Sequence, residues 1–163
     1  MDSMGLDITA YRKLTEVRPS SGPDDGWDEG LTDFYANGDF PGRFGTVLKE
    51  DALYRAEETH EFRAGSYSGY SAWRAWLAGL VDTTPDDAWE YEYVGPFAEL
   101  INFSDCEGTI ADAATCAKLA KDFAEWDDGA KADDTNDGYN YSRYREWRKA
   151  FEMAADGGAV KFH

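Results

Sequence analysis

Charge is the feature that most restricts how this chain can fold. Its 33 Asp and Glu against 16 Lys and Arg leave a formal charge of −17 at pH 7. The excess is also unevenly placed. Between Pro19 and Gly42 there are six acids and no Lys or Arg, and between Ala75 and Ala117 nine acids and again no basic residue. Self-repulsion on this scale works against compaction, so a folded state needs a large apolar core to offset it. Six Trp, ten Tyr and nine Phe supply one, since each such ring buries about 150–250 Å². With 42% hydrophobic residues, the composition is not that of a disordered polyelectrolyte. The length suits one domain over residues 1–163,.

The same arithmetic removes several function classes. Phosphate contacts need clustered Lys and Arg, so no direct nucleic-acid binding is expected. No apolar run approaches the roughly 20 residues of a membrane span. The opening from Met1 to Gly5 has neither a basic nor an apolar leader segment, which points to the cytoplasm. Cys106 and Cys116 are the only cysteines and His60 and His163 the only histidines. A zinc site would consume all four, and neither a metal nor another cofactor is implied.

Element by element, Gly5–Leu14 alternates Leu6, Ile8 and Ala10 with Asp7 and Thr9, a strand pattern,. Residues 19–45 are rich in Pro, Gly, Ser and Asp and read as a long acidic loop or insert, a length often tied to function. Residues 51–64 are ambiguous, and Leu53–Arg63 could be a strand with polar neighbours. A first helix follows, with Ser68 as N-cap, Tyr70, Trp73, Leu77 and Leu80 on one face, and a stop before Pro85,. Residues 95–103 are a short strand or one helical turn, and residues 104–108 a tight turn. Helices are expected over about 111–126, with Cys116, Leu119, Ala120 and Phe123 inward, and over about 139–155, with Tyr144, Trp147, Phe151 and Ala154 inward,. Residues 159–162 suit an edge strand. The sum is an α+β fold, about three principal helices on a small sheet.

Two segments could carry chemistry. Arg63, Ser66, Tyr67, Tyr70, Trp73 and Arg74 surround an expected helix start, where backbone N–H groups and arginines suit an anionic ligand and the rings could stack on it,. The glycine spacing there fits neither a dinucleotide fingerprint nor a phosphate loop. In the ordinary alternative, this is a capped amphipathic helix whose arginines pair with surplus acids. Asp105, Cys106 and Glu107 form the second segment. A Cys106/His60 dyad is conceivable, but flanking acids disfavour the thiolate, and a turn with a packed cysteine is the plainer reading. The run Asp133–Gly138 resembles the start of a calcium loop, yet Thr135 and Tyr144 stand at two ligand positions,, so it reads as a solvated linker.

The segments Phe97–Ile110, Ala117–Trp126 and Trp147–Val160, together with the GSYSGYxxWR run at 65–74 and the FSDCEG run at 103–108, resemble a group of small proteins of bacteria and their phages. The resemblance covers residues 60–163 and leaves out the insert at 19–45. It transfers no catalytic residue. It implies a bacterial or phage cytoplasm and a role in phage–host conflict through binding a host factor.

The expected function is therefore a non-enzymatic acidic binding protein. A basic protein partner would be met by Asp24, Asp25, Asp28, Glu29, Asp86, Asp87, Asp127 and Asp128, with fast, salt-sensitive association. The alternative is a small-molecule or nucleotide pocket, binding or hydrolytic, built from residues 63–74 and 104–108 and taking a small anionic ligand.

Overall fold

A computed structural model of the chain describes residues 5–20, 30–103, 108–133 and 138–163. Two long strands frame it. β1 (Gly5–Pro19) pairs antiparallel with β2 (Ala52–Ser66), from Gly5 opposite Ser66 to Pro19 opposite Ala52. Leu6, Ile8 and Ala10 of β1 are fully buried on one face, as strict alternation dictates. β2 resolves the ambiguous segment. Its middle, Glu57-Glu58-Thr59-His60-Glu61, is too polar to announce a strand and is held by pairing with β1.

Short strands β3 (Gly108–Ile110) and β4 (Ala159–Phe162) complete a four-stranded antiparallel sheet of order β2-β1-β4-β3. β4 is thus an interior strand, where an edge position was expected. Its residues serve both faces. Val160 and Phe162 enter the main core and Ala159 enters a second cluster behind the sheet.

Helices α1 (Pro41–Phe44), α2 (Tyr67–Leu80), α3 (Pro85–Glu90), α4 (Ala98–Ile101), α5 (Ala113–Glu125), α6 (Asp127–Asp133) and α7 (Tyr139–Ala154) complete an α+β fold. The three long ones, α2, α5 and α7, are those expected. The start of α2 differs: Ser66 is its N-cap, its Oγ accepting from Gly69 N at 3.0 Å, and Ser68 falls inside the first turn. α5 is capped by Asp112, which accepts from Thr115 N at 3.1 Å.

Trp147 of α7 is the hub of the main core. It stacks on Trp73 of α2 (5.7 Å between centroids, 21°) and on Phe151 (6.1 Å, 17°), and meets Phe62 of β2 edge-on at 5.0 Å and Phe162 of β4 at 5.5 Å. Aromatic pairs of this kind add about 0.5–1.5 kcal/mol each beyond their buried area. One indole thus ties α2 and α7 to both β2 and β4.

The described part of the expected insert, residues 30–45, is irregular but anchored. Leu31, Phe34 and Phe44 are buried, Phe34 meets Tyr11 edge-on at 5.0 Å, and Thr32 bridges Tyr54. Phe34 and Phe44, with Leu48, Ala52, Tyr54 and Ala111, form the second cluster, on the sheet face opposite the long helices. Among the described residues, no helix is long and apolar enough to cross a membrane.

Candidate functional site

The segment 63–74 does not form one pocket. Arg63, on β2, is exposed, its Nη1 3.2 Å from Asp7 Oδ1, and its carbonyl accepts from Arg143. Ser66 is spent on capping α2. Tyr67 packs on the rim of the core. Tyr70 is fully buried, its hydroxyl donating to Phe103 O at 2.8 Å, and Trp73 is buried with Nε1 donating to Asn140 O at 3.0 Å. Rings placed in this way support the fold and are closed to a ligand. Arg74 stands two helical turns beyond Ser66, about 12 Å along the axis. Asp105, Cys106 and Glu107 lie outside the described residues, as do Asp24, Asp25, Asp28 and Glu29. The calcium-like run lies largely outside them too.

Arg74 itself is unusual. Only 6% of it is exposed, and among the described residues no carboxylate pairs with it. Its Nη1 donates to the Ile101 carbonyl, its Nη2 reaches Ser71 Oγ at 3.4 Å, and the guanidinium lies 5.3 Å from the Tyr70 ring centre. Among the described residues its Nε has no hydrogen-bond partner, and neither has Oδ1 of neighbouring Asn102. A buried charge without a counter-ion is costly. It is all the more notable where acids outnumber bases two to one.

Arg74 forms part of the wall of a cleft of about 380 Å³, whose other lining includes Ile101 and Asn102 at the end of α4, Asp39 and Phe40 before α1, and Pro85, Asp86 and Trp89 of α3. That volume falls in the range of small-ligand and side-chain sites. Four separate segments build it. Phe40 is fixed by Phe103 (5.3 Å) and by Arg43 over its ring (5.5 Å), and Trp89 meets Phe40 edge-on at 6.0 Å. Two aromatic walls, two carboxylates and one buried guanidinium thus share one opening.

Outside the cleft, α3 and the turn after it present a second unusual surface. Trp89, Tyr91 and Val94 are 64%, 73% and 91% exposed. Around them stand Asp82, Asp86, Asp87, Glu90 and Glu92, all exposed and none in an ion pair among the described residues. α3 owes its existence to Thr84, whose Oγ1 accepts from Asp87 N at 3.1 Å, with Pro85 in the first turn and acids after it, a strong N-terminal signature. That signature is legible in Thr84-Pro85-Asp86-Asp87 and could have located this helix and its Trp89. Asp39, Phe40 and Asn102 carry no such local signal.

The remaining acids differ among themselves. Asp86 and Asp87 are exposed. Asp127 is tied inward, accepting from Tyr141 Oη at 2.9 Å and paired with Arg148 at 3.3 Å, whereas Asp128 is exposed. His60 faces Glu146 of α7 at 3.2 Å. Cys116 is buried and lies 3.6 Å from Ile110 O. No family model, curated protein or solved structure matches this chain.

Proposed function

We propose that this chain is a non-enzymatic binding protein whose α3 face grips a basic segment of a partner protein. One observation carries the reading: three large apolar side chains, Trp89, Tyr91 and Val94, stand exposed among five carboxylates that form no ion pair among the described residues. Exposed indole and phenol rings attract Lys and Arg by cation–π contact, and the carboxylates add charge-assisted hydrogen bonds. A solitary domain has no use for such a patch, because the rings cost solubility and the acids repel one another. Of the acids read from the sequence, Asp86 and Asp87 belong to this face, and Asp127 serves the fold. In keeping with the resemblance noted above, the partner we propose is a host factor in a bacterial or phage-infected cytoplasm.

The test is chemical-shift mapping with an Arg- and Lys-rich hexapeptide. Perturbation centred on residues 82–94, affinity falling steeply with salt, and at least a tenfold loss in Trp89→Ala are expected. Shifts spread evenly over the acidic surface, or unchanged affinity in Trp89→Ala, would defeat the reading.

A further inference from the structure

We infer that the Arg74 cleft receives the C-terminal carboxylate of the basic segment, with the last residue's cationic side chain held at the cleft mouth. This inference rests on the proposed α3 docking face, with which the cleft shares Asp86 and Trp89.

The charges are ordered by depth. A guanidinium that is nine-tenths buried and that, among the described residues, has an unused Nε–H and no carboxylate partner is a receptor for an anion. A carboxylate is the planar two-oxygen group that a guanidinium fork matches best. An isolated anion approaching a protein of charge −17 would be repelled over the screening distance, so the anion must bring positive charge with it. Asp39 and Asp86 line the same cleft, and the Phe40 and Trp89 rings flank it. They suit a cation next to the anion. A chain ending in Arg or Lys carries both groups on a single residue. An internal Arg or Lys would offer the acids their cation but leave Arg74 without its anion.

The experiment compares two versions of one acetylated hexapeptide ending in Arg, with a free C-terminal carboxylate or with a C-terminal amide, by calorimetry on the whole chain. The free acid should bind at least tenfold more tightly. That preference should fall to about onefold in Arg74→Gln, a variant that keeps a donor for the Ile101 carbonyl. The comparison in the unsubstituted protein stands even if Arg74→Gln does not fold. Equal affinity of acid and amide, with both still weakened by Trp89→Ala, would overturn the inference and leave the docking face intact. Binding of neither peptide would overturn both. Free arginine binding as tightly as the free-acid peptide would also overturn it, since the cleft would then be a small-molecule site with no need of a partner chain.

Discussion

Cys116 shows how position on a helix decides the chemistry of a side chain. It faces inward from α5, and burial, reinforced by Asp112, pushes its thiol from an ordinary 9.0 up to about 12. The thiolate is the reactive form, so Cys116 should stay unmodified when the native protein is treated with iodoacetamide near pH 8. It should label readily once unfolded, and peptide mass mapping distinguishes it from Cys106. Labelling of native Cys116 would mean that α5 opens from the sheet far more often than its packing implies. Arg74 carries the residue-scale lesson about legibility. It stands one position after Trp73, on what the helical pattern marks as the edge of the apolar face, and surface acids were its expected partners. The end of α4 instead brings the Ile101 carbonyl over it. That contact spans 27 residues of sequence, and no local pattern encodes it.

At the scale of elements, periodicity was a good guide wherever one face of a helix is buried. The inward positions expected for α7, Tyr144, Trp147, Phe151 and Ala154, are all buried, as are Cys116, Leu119 and Phe123 of α5. Periodicity leaves alternatives open for β2, whose polar middle is a strand because β1 lies beside it, and for α4, where the helical turn is the alternative that forms. It is silent about the cleft, since Asp39, Arg74, Trp89 and Asn102 come from four elements that meet only in the fold. Two glycines make the element scale testable. A Cβ on Gly158 would lie 1.7 Å from Tyr11 O, where the turn after α7 crosses β1, whereas a Cβ on Gly79, in the last turn of α2, meets nothing within 4 Å. Gly158→Ala should therefore cost more than about 3 kcal/mol or prevent folding. Gly79→Ala should add about 0.5–1 kcal/mol by lowering the entropy of the unfolded chain. Urea titration of both variants checks the pair, and a mild Gly158→Ala would mean that the turn can shift away from β1.

For the whole molecule, the −17 charge makes stability a function of the solvent. Raising salt from about 10 mM to about 150 mM shortens the screening length from roughly 30 Å to 8 Å, and the melting temperature should rise across that range. A melting temperature that falls instead would mean that ion pairs such as Arg12 with Glu57, Glu58 and Asp156 outweigh the general repulsion. Alkali acts in the opposite direction. Burial raises Cys116, and it also raises Tyr11 and Tyr144 above an ordinary 10.0. A proton held more tightly in the folded state stabilises it fully below the ordinary value, and that contribution is lost as pH climbs toward the folded value. The urea midpoint should therefore drop between about pH 8 and about pH 10.5, and Tyr144→Phe should lessen the drop.

The place of β4 between β1 and β3 reaches into how the protein is made. Among the described elements, a ribosome delivers β1 first and β4 last, yet β4 is the strand that joins the β1–β2 ribbon to β3. Until residues 159–162 have left the exit tunnel, the nascent chain holds a hairpin whose inner edge is open, beside helices with no completed sheet to rest on. Productive folding is thereby deferred until residues 159–162 emerge. A transcript broken shortly before codon 159 would leave β1 and β3 without the strand between them and yield an aggregation-prone polypeptide,.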